Sequence, residues 1–270
     1  MNIEIDVNYN FQAEANGRSQ KEPNPPKLLI SEHGNDWNRS EKDSDRWSKT
    51  LQEYHVYLWS KPLPNGQLFL LSKASQNRLY HKSEMGEFHL SSDRATTVTF
   101  AKNRSALKLA SKLPQNLLNE FSALSDTIGG MILWPAKQRN RLNTINQARG
   151  FGKTGHLIAD RLDLTIECVR KFYTKESSSN PLHDVFTRYS DFFELFQDFK
   201  GFIDFFLLQD MVSSCYTKVK FAKPFNDFNA PPIPQSLLEY EGYIEHTSNL
   251  VKARNIRIAQ WAATNFKQDD

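Results

Sequence analysis

Three groups of side chains in this 270-residue sequence are of types that do chemistry. The first lies between Asp126 and Asp160, where Lys137, Arg139, Arg141, Arg149 and Lys153 occur with no acidic residue among them. Its segment NTINQARGFGKTG sets glycines 150, 152 and 155 beside Arg149 and Lys153, with Asn146 just upstream. Glycine amides can approach a phosphate closely because no Cβ stands in the way, and guanidinium and ammonium groups supply the charge. GFGKTG lacks the four-residue spacer of a Walker loop. A phosphate or nucleic-acid site and a solvated basic loop are therefore the two readings of this stretch.

The second group is IADRLDLTIECVRKFY, where steps of three and four residues put Asp160, Asp163, Glu167 and Arg170 on one side of a predicted helix. Carboxylates converging on one point hold Mg²⁺ for phosphodiester cleavage. The same spacing serves a ladder of ion pairs on an exposed helix face. The third group is His81, flanked by Tyr80 and Lys82 on a predicted strand over 78–83, beside a second predicted strand over 87–93 that carries Ser91 and Ser92. A histidine there is either a hydrogen-bonded core residue or a group that orients a ligand or moves a proton. No GxSxG, H-E-x-x-H or CxxC spacing is present, so no serine-hydrolase elbow or zinc site is indicated. The two cysteines, Cys168 and Cys215, read as buried thiols in a reducing compartment.

The elements that must position these groups follow from hydrophobic period. Residues 2–11 alternate as a short strand, and from 13 to 48 the chain turns to Asn, Ser, Pro and charge, a loose extension without assigned chemistry. A helix is predicted from Trp47, a turn over 62–66, the hairpin 78–93 and a further strand over 96–100. A helix over 113–124 precedes Gly129-Gly130 and the buried strand MILW. Beyond Trp134 the pattern is mostly helical, with eight of the 19 phenylalanines between 186 and 206. A short late strand (219–221), an extended connector (230–234) and a last helix over 235–266 complete the chain. The fold class is therefore α+β: a mixed or antiparallel sheet from the N-terminal half packed by Phe-rich helices of the C-terminal half. Residues 1–46 form a strand plus flexible extension and 47–270 a single domain.

The charge of +3 and pI near 8.7 fall short of a dedicated nucleic-acid coat. The opening residues lack the basic and apolar regions of a signal peptide. The longest apolar run, 202–208, is broken by Asp204 and is shorter than the roughly 18 residues a span needs. No membrane and a cytoplasmic location are expected.

The strings EYHVYLWSKPLPNGQLF, LYHKSEMGEFHLSSD, TIGGMILWP, TINQARGF, IADRLDLTIECVRKFY and YSDFFELFQDFKGFIDFFLLQDMV together resemble an uncharacterised bacterial family catalogued as a domain of unknown function, over roughly residues 43–257. That likeness implies no activity. LYHKS followed by a strand with serines is also similar to the opening NAD-binding strand of His-type ADP-ribosyltransferases, with Lys82 where those enzymes usually have Gly. This second likeness implies that His81 and Tyr80 orient NAD, with Ser91 and Ser92 on the adjoining strand.

The expected function is an enzyme of the toxin or phage-defence type acting on nucleic acid or a nucleotide, with ADP-ribosyl transfer from NAD the most concrete chemistry. In it Asn146, Arg149 and Lys153 bind pyrophosphate or an RNA backbone. The alternatives are a Mg²⁺-dependent nuclease using Asp160, Asp163 and Glu167, and a non-enzymatic module binding nucleic acid, an antitoxin or another protein.

Overall fold

The computed structural model describes residues 5–21, 42–74, 78–96, 104–150 and 155–265. Three helices open the fold: α1 (Phe11–Ala15), α2 (Ser44–Trp47) and α3 (Lys49–Trp59). Each starts where a side-chain oxygen accepts from the first turn, Asn10 from Ala13 N, Asp43 from Asp45 N and Ser48 from Leu51 N. Residues 5–11 therefore do not form the expected strand. Asn10 caps a helix, and Ile5, Val7 and Tyr9 lie partly buried on the main core without strand pairing. Asp6 N donates instead to the Tyr54 hydroxyl at 2.8 Å.

A two-stranded hairpin, β1 (Lys61–Pro62) and β2 (Leu68–Phe69), turns at Gly66, whose φ of 81° is cheap only for glycine. The main sheet comprises β3 (Ser72–Lys73), β4 (Leu79–Ser83), β5 (Gly86–Arg94) and β6 (Met131–Pro135) in that spatial order. All its pairings among the described residues are antiparallel, including β5 with β6, the antiparallel form of the expected sheet. Helices α4 (Arg104–Ala110) and α5 (Gln115–Ser125) fill the β5–β6 connection. Most of the strand expected over 96–100 lies outside the described residues.

After the sheet come α6 (Ile145–Gly150), α7 (Gly155–Ile158), α8 (Leu162–Tyr173), α9 (His183–Arg188), α10 (Ser190–Glu194), α11 (Phe199–Phe205) and the 29-residue α12 (Leu237–Asn265). The expected strand at 219–221 is reduced to one bridge, Val219 with Val212. Phe186, Phe192, Phe193, Phe196, Phe202 and Phe206 are all nearly inaccessible, with neighbouring ring centroids 4.7 to 5.6 Å apart in mostly tilted and edge-on pairs. Such pairs add to burial because ring edges meet ring faces. A smaller cluster joins Leu118 and Phe121 of α5 to Tyr240, Tyr243 and Ile244 of α12. Cys168 is buried, but Cys215 is exposed on a loop, unlike the two buried thiols expected. No helix of the described residues is long and apolar enough to cross a membrane.

Helix α12 locks onto the turn before β6. Asn255 Oδ1 accepts from Gly129 N at 2.6 Å and its Nδ2 donates to Thr127 Oγ1 at 2.9 Å. A Cβ on Gly129 would lie 2.7 Å from the Val251 carbonyl oxygen, which is backbone and cannot swing aside. Gly129→Ala should therefore cost about 1–3 kcal/mol, in the range of other overpacking changes, as urea denaturation would measure.

Candidate active site

Strand β5 ends in Ser91, Ser92, Asp93 and Arg94, and strand alternation turns Ser92 to the face opposite Ser91 and Asp93. Ser92 is buried, with Oγ 2.8 Å from His55 Nε2 of α3. Trp59 Nε1 donates to His55 Nδ1 at 2.9 Å, so the ring proton sits on Nε2 and donates to Ser92. His55 is thus a donor here and does not draw the serine proton. Burial, with the Arg254 charge adding to it, pushes its pKa down to about 3. The Ser92 amide donates to Asp45 Oδ1 at 2.7 Å, and burial raises that carboxyl to about 7.

On the other face, residues from three segments meet around Asp93. Its Oδ2 accepts from Arg149 Nη1 at 2.8 Å, and its carboxylate is hydrogen-bonded by the Asn146 side chain; both partners come from α6. Arg149 is fully buried. Its Nε donates to Thr165 Oγ1 at 2.7 Å, and its Nη2 reaches the Asp160 carbonyl at 3.3 Å and lies 3.7 Å from Asp160 Oδ1. One guanidinium therefore faces two carboxylates. Burial first, then the charge of Asp160, pushes the Asp93 carboxyl up to about 7 against the opposing pull of Arg149 and Asn146. The two carboxylates remain partly open, with 21% of the Asp93 side chain and 35% of the Asp160 side chain accessible.

The backbone holding Asp160 is unusual. Ala159 and Asp160 both sit in the left-handed region, at φ 50° and 61°. For alanine that conformation is costly and persists only where the surroundings enforce it. Arg149 does so, its carbonyl accepting from Asp160 N at 3.3 Å while its guanidinium bonds the Asp160 carbonyl. A Cβ on Gly150 would lie 3.2 Å from Asp160 Oδ2, so the glycine makes room for the carboxylate.

The remaining sequence candidates lie elsewhere or are engaged. Asp160 precedes α8 instead of lying on it, so it does not share a helix face with Asp163 and Glu167. Asp163 pairs with Arg161 and accepts from Ala222 N at 2.9 Å. Glu167 takes a two-pronged contact from Arg170 at 2.7 and 2.9 Å. Among the described residues no three His, Cys, Asp or Glu side chains are grouped to hold a metal ion. His81 is 1% exposed on β4, its Nδ1 2.9 Å from the Leu70 carbonyl oxygen and its ring between Phe69 and Phe88. Tyr80, on the other face, packs against His89. Arg139 pairs with Asp191 at 2.7 Å, Lys137 and Arg141 are exposed, and Lys153 lies outside the described residues.

Asn146, Arg149, Asp160 and the β5 face that carries Ser91 are thus brought to one place, whereas Ser92 turns to the opposite face and His81, Tyr80 and Glu167 lie elsewhere. The residue at the centre, Asp93, and Asp45, which accepts from the neighbouring Ser92 amide, were not among the sequence candidates. The readable signal for Asp93 was strand alternation, which sets it two residues from Ser91 on the same face.

A sequence-family model described as a family of unknown function, DUF6994, matches residues 5–258. No curated protein and no solved structure matches the chain.

Proposed function

The chain belongs to the DUF6994 family of unknown function, and from its own residues we propose that it is an enzyme acting on a nucleotide or nucleic acid by proton transfer at Asp93. The observation that carries the reading is the convergence of Asp93, Asp160, Asn146 and buried Arg149, which leaves one carboxyl titrating near neutrality in a partly open position. A group with its pKa near the working pH serves proton transfer best. Asp93 gives its proton to the departing base as the bond to the sugar breaks, the Asp160 carboxylate faces the positive charge that develops, and a water adds to the sugar carbon, giving up a proton that restores Asp93. This is the division of labour by which two carboxyl groups cleave a glycosidic bond. Arg149 acts by position, holding both carboxylates, since none of its surface is open to a substrate.

The substrate class is supported by charge. Exposed Lys137 and Arg141 precede α6 in the stretch that holds no acidic residue, and they suit a phosphate-bearing molecule. NAD is a second such molecule: its nicotinamide leaves as a neutral base that takes no proton, so with NAD the site's part is the Asp160 carboxylate facing the ribosyl cation. A toxin or phage-defence role is one biological setting for that chemistry.

The test is to incubate the purified chain with NAD⁺, the common nucleoside mono- and triphosphates, a short RNA and a short DNA between pH 5 and 8, and to follow products by mass spectrometry. Conversion of one of them by the native chain and loss of that conversion in Asp93→Asn are expected. Equal conversion by the two proteins, or none by either, overturns the reading.

A further inference from the structure

Helix α2 docks where the main sheet leaves an edge open. Strand β4 accompanies β5 only as far as Leu90, and beyond that point the Ser92 amide on the same side is taken by Asp45 Oδ1 at 2.7 Å. The carboxyl that holds α2 is therefore turned inward, beside the residue that precedes Asp93. Both flanks of the helix are pinned to α1 and its cap. Lys42 N donates to Asn16 Oδ1 at 2.8 Å and the Lys42 carbonyl accepts from Gln12 Nε2 at 2.9 Å, while the Ser48 and Thr50 hydroxyls donate to the Glu14 carboxylate.

What this anchored turn presents outward is an indole. Trp47 is 54% exposed and is the one exposed aromatic side chain among the described residues. A ring that could bury roughly 150–250 Å² is left in water on a fixed helix, and such an exception is informative. Lys42 Nζ lies 5.0 Å from the centroid of its ring, and Arg46 and Lys49 are exposed on either side of it in the chain. Of the two acidic residues in the same stretch, Asp45 faces Ser92, and Asp43 Oδ1 accepts from Asp45 N at 3.2 Å. Glu53 on the next turns of α3 is paired with Lys73 at 2.9 Å. Over residues 42–49 the outward charge is therefore three cations against the one carboxylate of Asp43. Trp47 stands one turn after Asp43, its amide donating to the Asp43 carbonyl at 3.0 Å, and the Asp43 charge is felt at Asp93. The exposed indole and its cations thus border the Asp93 site.

We propose that Trp47 is a stacking platform for a base of a single-stranded nucleic acid, with Lys42, Arg46 and Lys49 on the strand's phosphates, so that the strand crosses α2 on its way to Asp93. An unpaired base offers a π-face that lies flat on an indole, and cations beside the ring follow the backbone; this pairing of aromatic and basic side chains takes single strands with little regard to sequence. Duplex bases are already stacked on one another and have no face to give. The inference deepens the reading of Asp93 as an acid acting on a nucleotide or nucleic acid and rests on it for the chemistry that follows binding, whereas the binding itself is measured without turnover.

The experiment uses the full chain and fluorescein-labelled single strands of RNA and of DNA of about 12 nucleotides, together with a strand of the same length whose sugars carry no bases. Fluorescence anisotropy reads binding between about 50 and 200 mM salt. The native chain should bind one or both base-bearing strands. Trp47→Ala should weaken that binding about tenfold or more, and Trp47→Phe, which keeps an aromatic face, should retain most of it. Because the indole is exposed, both variants should keep the native melting temperature. Lys49→Ala should weaken binding to every sequence alike and flatten its salt dependence. Unchanged affinity in Trp47→Ala, equal affinity for the strand without bases, or no binding by the native chain overturns the proposal. Strands that bind through Trp47 but are never converted leave this inference standing and sink the reading of Asp93. Conversion of a free nucleotide at equal rates by the native chain and Trp47→Ala, with no strand bound, does the reverse.

Discussion

Asp93→Asn should abolish turnover while leaving a folded protein. The amide keeps the shape of the carboxyl and an oxygen for Arg149, but it cannot give up a proton, and loss of a positioned acid or base costs about 10²- to 10⁴-fold in rate. In the native chain kcat/KM should fall as pH rises through about 7, where Asp93 loses its proton, and whatever activity survives in Asp93→Asn should lack that limb. A pH–rate profile of both proteins on the converted substrate checks the claim. An unchanged limb in the variant would move the proton to another group, with Asp45, also near 7, the first to examine.

The same carboxyl has a stability signature. Its folded pKa lies above the value near 3.9 of an unfolded aspartate, so between about pH 4 and 7 the folded state binds more protons. The favourable contribution is complete below pH 4 and is lost as pH rises through 7. Asp45 acts in the same direction. Stability should therefore fall between pH 5 and 8, by on the order of a few kcal/mol at most, with Tm falling alongside it, and Asp93→Asn should flatten the fall. Calorimetry at several pH values measures both slopes.

The second large effect is expected at Arg254. Its buried guanidinium donates to the carbonyls of Met131 at 2.6 Å, Gly129 at 3.0 Å and Phe206 at 3.1 Å. Arg254→Leu fills part of the space and leaves these buried oxygens without their donor, each costing about 1–3 kcal/mol when unsatisfied. Removal of a desolvated charge offsets part of that loss, so a net loss of about 3–5 kcal/mol is expected, roughly 10 °C in Tm. Arg254→Lys should recover little, because one ammonium cannot span carbonyls that the planar fork reaches on both sides. Urea denaturation of the two variants decides it, and a loss under 1 kcal/mol for Arg254→Leu would mean that water replaces the guanidinium.

What could be read from the sequence and what could not divide along physical lines. Local period placed the hairpin over β4 and β5, the buried strand MILWP, α5 and α8, because each presents its apolar residues at the spacing its backbone requires. The Phe-rich segment was legible as core for the same reason. Over its described residues, 5–11, the expected strand did not form because alternation of Ile5, Val7 and Tyr9 records burial on one side and does not require a pairing partner, while Asn10 carried the local helix-start signal.

At the site, the basic stretch pointed to Arg149 and Asn146, but charge in a sequence does not show which way it faces. Arg149 turned inward to two aspartates that lie 56 and 11 residues away along the chain. Asp93 looked like an ordinary polar strand end, and its raised pKa arises from burial and from Asp160, both properties of the assembled fold. The run Asp160, Asp163, Glu167 assumed one continuous helix. The left-handed residues 159 and 160 break it, and no composition rule signals an alanine in that conformation.

The lock between α12 and the turn before β6 sets an order of events during synthesis. Asn255 and Arg254 follow Gly129 by 126 and 125 residues. At the usual 5–20 residues per second the ribosome takes about ten seconds to make that length. Throughout that interval the Gly129 amide and the Gly129 and Met131 carbonyls lack the partners they have in the finished molecule. The strand that lies beside Asp93 therefore reaches its final state only after translation has passed residue 255. A nascent chain stalled before that point would present β6 as an open edge to proteases and chaperones, and ribosome-bound chains of increasing length should become protease-resistant in one late step.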